Sequence, residues 1–160
     1  MAATNEGTPA ATGTPPLSAD EEVLWRALIR IAVTLPRGLD DDLARRAGIS
    51  LSEYVVLMNL SEAENQAMRL SALAAAVALS LSRVSRLVDE LQAQGLVTKE
   101  RDAADSRGSI ATLTPAGLER LSAAYPAHLD SVRQRVLDHV APGLVLPAAR
   151  ALAAVAARAH

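Results

Sequence analysis

The 160-residue chain has no cysteine and no phenylalanine, a single lysine, and only three aromatic residues, Trp25, Tyr54 and Tyr125. Without cysteine, disulfides and thiol-based sensing are excluded. The longest charge-free apolar stretch, residues 70–82, is short and broken by serine, so no segment is expected to span a membrane. No basic residue precedes Arg26, which leaves no basic-headed leader to propose. Nucleophile-elbow, phosphate-loop and zinc-ligand spacings are missing too. His128 and His139 would stand about 16 Å apart on one helix, too far to share a metal ion, and both read as surface residues. His128, Asp130 and Ser131 are too close along that helix to converge as a catalytic triad. The expectation is a protein without enzymatic activity, metal or cofactor.

What the chain does have is an apolar half sufficient for one domain with a core, and one dense block of local signals in residues 69–114. A first helix is expected from Ser71 to about Ala78, with Leu73, Ala74 and Val77 on one face and Ala74 and Ala78 small enough for close helix approach. A second should run from Leu81 to Gln94, with Ser80 as its cap and Gly95 as the left-handed residue that ends it. Its apolar stripe, Val84, Leu87, Val88 and Leu91, leaves Ser82, Arg83, Ser85 and Arg86 on the outward face. After Gly95 the period changes. Residues 96–99 and 110–113 are short β-favouring runs joined by a polar connector, and Thr114-Pro115 caps the next helix. The pattern predicts a mainly α (α+β) fold, a winged helix-turn-helix with a two-stranded wing, which is a device for gripping duplex DNA.

The block resembles the winged helix-turn-helix of the MarR family of bacterial transcriptional regulators. The likeness is carried by Ser82-Arg-Val-Ser-Arg-Leu-Val-Asp-Glu-Leu91, Gly95-Leu-Val97, Asp105-Ser-Arg107 and Leu113-Thr-Pro-Ala-Gly117, and extends over about 120 residues from near Glu22 to Val140. It implies that Ser80, Ser82, Arg83, Ser85 and Arg86 face a major groove. Lys99 would touch the DNA backbone, and Arg107 would enter the minor groove with Asp105 holding the wing in shape. It also implies a homodimer that reads an inverted repeat and represses by occluding polymerase, in a protein whose lack of a leader or membrane-length stretch reads as cytoplasmic. A small aromatic or phenolic effector would sit in a crevice where Trp25, Arg30 and Tyr54 could line it.

Around this block, residues 1–17 read as a disordered tail and 18–160 as one domain, with 18–64 and 115–160 as scaffold and dimerisation helices and 65–114 as the winged helix-turn-helix. Ser18 and Glu21 form a capping box for a helix to about Leu35, with Trp25, Leu28, Ile29, Ala32 and Leu35 on one side. Pro36 to Gly38 should break it, and Asp40 to Arg46 should form a short separate helix. Ser50 and Glu53 cap a helix to about Ala63 that buries Tyr54, Val55, Leu57, Met58 and Leu60. A long helix from Pro115 to about Val140 carries Leu118, Leu121, Tyr125, Leu129 and Val132, and an alanine-rich helix follows at 146–157. One small domain cannot receive all these apolar faces, so a partner chain should cover the terminal ones. Residues 65–107 carry six basic groups against five acids, a weak footprint for a DNA binder. The second reading is therefore a helical protein-interaction module that does not bind DNA.

Overall fold

The computed structural model describes residues 14–102 and 108–158. Among these residues six α-helices and three strands run in the order α1 (Ala19–Ala47), α2 (Leu51–Glu62), β1 (Ala67–Arg69), α3 (Leu70–Ala76), α4 (Leu81–Ala93), β2 (Val97–Arg101), β3 (Ser109–Leu113), α5 (Pro115–Arg135) and α6 (Pro142–Ala156). The chain divides into two compact units, residues 1–34 and 35–160, within the span read from sequence as one domain. Of the N-terminal tail, residues 1–13 lie outside the described residues, and 14–18 have no regular structure.

The first departure from expectation is α1, which continues through Pro36 to Ala47 instead of stopping there. Proline forfeits one backbone hydrogen bond and costs about 3 kcal/mol in a helix interior. Packing beyond it compensates. Gly38, Asp42 and Leu43 are buried, and a Cβ on Gly38 would collide with the Arg135 guanidinium. Arg135 Nε donates to Asp42 Oδ2 at 2.7 Å, Ser131 Oγ donates to the same oxygen at 2.5 Å, and Arg45 pairs with the other one. These donors hold the Asp42 carboxyl well below the usual carboxylate range, the Arg135 hydrogen bond most of all. The second half of α1 is thereby clasped to α5.

In residues 35–160 the core gathers Leu43, Tyr54, Leu57 and Leu60 with Leu73, Val84, Val88, Leu91, Val97 and Leu113. Both predicted capping boxes form. Ser50 and Glu53 exchange hydrogen bonds of 2.8 and 3.2 Å, and Ser18 and Glu21 do the same at 2.8 and 3.4 Å. Of the residues expected on α2, Tyr54, Leu57 and Leu60 are buried and Val55 and Met58 only half-buried, while Val56 is fully buried because α4, α5 and the sheet all pack against this helix.

The two strands expected of the wing, β2 and β3, pair as a hairpin, and β1 adds a third strand to their sheet. All its pairings are antiparallel and β3 lies in the middle, with Val97 opposite Leu113, Arg101 opposite Ser109, and Ala67 opposite Thr112. Behind it, Thr114 caps α5 through the Gly117 amide at 3.0 Å and donates its hydroxyl to the Gly95 carbonyl at 2.8 Å. A Cβ on Gly117 would overlap the Leu96 carbonyl oxygen, so glycine there lets α5 begin directly against the root of the wing. α5 itself ends at Arg135 in a short 3₁₀ turn, five residues before the expected stop, and α6 begins four residues earlier than expected.

Candidate nucleic-acid interface

α3 and α4 turn through 107°, an angle characteristic of helix-turn-helix pairs. The turn differs from expectation in one residue. α3 stops at Ala76, and Ala78, expected to pack inside the helix, is exposed with φ +52°. A left-handed alanine costs about 1–2 kcal/mol, and the tight connection to Ser80 requires it. Ser80 then caps α4 by accepting from the Arg83 amide at 3.3 Å, with its Oγ 3.2 Å from Ser82 Oγ.

The apolar stripe of α4 is buried as expected: Val84, Leu87, Val88 and Leu91 all lie in the core. That anchors the helix and turns Ser82, Arg83 and Arg86 outward, where all three are exposed. Among the described residues neither guanidinium is in an ion pair, so both are available to an external anion. A hollow of about 360 Å³ beside them is lined by Asp40, Ser50, Ser52 and Glu90. On the other side of the helix, Arg69, Ser71, Leu81, Ser85 and Ser109 border a second hollow of about 350 Å³ at the base of the wing.

Ser85 and Lys99 take a different part from the one expected. Lys99 Nζ, reaching from β2, donates to Ser85 Oγ at 2.9 Å and to Asp89 Oδ1 at 2.7 Å. The lysine side chain is only 20% exposed. It ties wing to helix and has its charge largely answered, which leaves little for a phosphate. Asp89 went unrecognised as a participant. The available signal was its spacing of four from Ser85 on a helix that precedes the chain's one lysine. Arg69, also unforeseen, pairs with the buried Asp102 at 2.6 Å and so joins β1 to the far end of β2. Asp105 and Arg107 lie outside the described residues.

Of the three residues expected to line a ligand crevice, Trp25 and Arg30 border a shallow hollow on α1 with Ile29 and Val33. Tyr54 borders another, of about 350 Å³, with Met58, Glu62, Leu121 and Tyr125. His128 is not the surface histidine expected. Its ring stacks on Tyr54 with centroids 4.3 Å apart, and burial pushes the imidazole below the usual histidine range. The buried stripe of α5 is Gly117, Leu121, Ala124 and Ser131, with His128 in phase, whereas Leu118 and Tyr125 are exposed.

A MarR family model matches residues 47–108. The crystal structure of Sco3205, a MarR family transcriptional regulator from Streptomyces coelicolor in complex with DNA, is 34% identical over 89% of this chain and 90% of that one, with a TM-score of 0.81. The chain belongs to the MarR family. AbsC, another MarR family regulator from Streptomyces coelicolor, is also 34% identical, over 89% of this chain and 96% of its own, with a TM-score of 0.78. The transcriptional regulator BldR from Sulfolobus solfataricus shares the fold at 24% identity and a TM-score of 0.77, with 89% of this chain and 99% of that chain covered. No curated protein sequence matches. This MarR-family chain is therefore a transcriptional regulator and not an enzyme. No single helix among its described residues is long and apolar enough to cross a membrane.

Proposed function

We propose that this MarR-family regulator works in the cytoplasm as a homodimer, binds an inverted-repeat operator, and represses the adjoining gene by occluding polymerase. The observation that carries the reading is the outward pair Arg83 and Arg86 at the start of a firmly anchored α4, exposed and unpaired among the described residues. Guanidiniums so placed suit bidentate contact with guanine edges or contact with phosphate. Dimerisation is supported by apolar side chains left in water. On α1, Val23, Leu24, Trp25, Ile29, Ile31 and Val33 are exposed on more than one side of the helix, and on α6 Leu144, Leu146, Leu152 and Val155 are exposed as well. A helix apolar all round is normally covered, and a second copy is the symmetric way to cover it.

Two copies of α4 would then stand about 34 Å apart, one turn of DNA. Arg107 in the minor groove, steadied by Asp105, belongs to the same proposal. So does release by a small aromatic or phenolic effector. The hollow at Tyr54 has aromatic and apolar walls with Ser61 and Glu62 for polar contact. A ligand there lowers DNA affinity only by binding the DNA-incompatible arrangement more tightly.

The test is selection from a random duplex pool with the full chain, paired with sedimentation. The expected outcome is an enriched inverted repeat bound by a dimer, with Arg83→Ala relaxing the preference at one position per half-site and costing about 1–3 kcal/mol there. A strictly monomeric protein that enriches no sequence would leave the interaction-module reading in its place.

A further inference from the structure

Among the described residues between Leu35 and Gly117, Leu81 is the only large apolar side chain left exposed, at 53%. A lone exposed leucine is ordinary on a protein surface, but this one sits at the first position of the recognition helix, next to Ser82 and Arg83 and one turn before Ser85. Helix initiation does not call for it. Ser80 supplies the cap, and the two positions of a hydrophobic staple are Val84, in the core, and Leu79, half-buried against it. Nor does the core, which takes Val84, Leu87, Val88 and Leu91 from α4. Leu81 instead forms an apolar wall of the hollow at the base of the wing, with polar Arg69, Ser71, Ser85 and Ser109 around it.

Arg83 and Arg86, the two guanidiniums that bring the helix to a polyanion, border the other hollow across the exposed face of α4, so Leu81 flanks that face from the wing side, while Asp89 and Glu90 lie further along. Within a major groove one base-edge group is apolar, the C5-methyl of thymine. We infer that Leu81 reads thymine: its side chain packs on the C5-methyl of one thymine in each half-site and so disfavours cytosine, which lacks that methyl. The inference rests on the DNA-binding reading above and adds to it a base that the arginines do not select.

The experiment takes the operator enriched by the full chain and replaces each thymine singly with uracil, which removes the methyl and keeps every hydrogen-bonding group. Binding is then measured for the wild type and for Leu81→Ala. The expected result is one symmetric pair of thymines whose demethylation weakens wild-type binding roughly four-fold per half-site, the value of burying one methyl-sized group. Leu81→Ala should bind the thymine and uracil forms equally at that position and keep its dependence on Arg83. An operator with no methyl-sensitive thymine, or an equal loss in Leu81→Ala, overturns the assignment while leaving the regulator reading in place. Failure to enrich any operator overturns both. The thymine-to-uracil comparison on wild-type protein needs no variant, so an operator without a methyl-sensitive thymine overturns the assignment however Leu81→Ala folds.

Discussion

His128 presents one ring face to Tyr54, and among the described residues its buried Nδ1 has no hydrogen-bond partner. The folded protein therefore keeps the imidazole neutral at pH values where the unfolded chain has already taken up a proton. Protons thus favour unfolding. Stability is complete above the ordinary histidine pKa of about 6.5 and declines as pH falls through it toward the depressed folded value. His128→Phe keeps a ring against Tyr54 and removes the titration. Thermal melts of both proteins between about pH 8 and pH 5 should show the melting-temperature gap moving in the variant's favour as pH falls; a constant gap would mean that the imidazole titrates as it does in water. This residue also marks where apolar periodicity stops being informative. On α5 the large apolar side chains suggest a stripe through Leu118, Leu121 and Tyr125, yet of these only Leu121 is buried, and the other buried positions are small or polar, Gly117, Ala124 and Ser131. Ser131 is buried because Asp42 receives its hydroxyl, and that pairing across 89 positions leaves no local trace.

Between elements, the decisive join is Lys99 holding β2 to α4 through Ser85 and Asp89. Partly exposed pairs of this kind contribute about 1 kcal/mol or less to stability, so the larger consequence is positional: the angle between wing and recognition helix. Both Lys99→Met and Asp89→Ala should weaken operator binding with base preference unchanged. The aspartate variant decides the matter, because it removes a negative charge near DNA. If Lys99 acted directly on a phosphate, freeing it from Asp89 would tighten binding; titrations of the selected operator distinguish the two signs. The elements that make this join were legible from residue patterns, since caps at Ser80 and Thr114, the glycine at 95 and the stripe on α4 are all local signals. β1 was not. Ala67–Arg69 is too short to alternate, and it becomes a strand only because β3 offers a free edge. Pro36 misled for the converse reason: the local penalty is real, but contacts with α5 outweigh it.

For the molecule as a whole, a net charge of −2 means that attraction to DNA cannot come from overall field and must come from a few placed cations. Two of the basic groups in the winged block are already answered, Arg69 by Asp102 and Lys99 by Asp89. That leaves Arg83 and Arg86 on each recognition helix and the exposed Arg101 at the end of β2, with Arg107 as the proposed wing contact. A dimer using these groups neutralises at most about eight phosphates, so the slope of log affinity against log salt should be no steeper than about −7, and shallower where an arginine reads a base. Operator titrations between about 50 and 200 mM salt, at protein concentrations that hold the dimer intact, measure it. A slope approaching −10 would show that Arg69 and Lys99 abandon their carboxylates on binding, and the wing would then have to be treated as a mobile arm instead of a braced one. With so few contacts per copy, halving them in a monomer halves the exponent and removes most of the binding free energy. Occupancy should therefore collapse at dilutions where the dimer separates, and the dimer's apolar helices become as much a part of DNA recognition as the arginines.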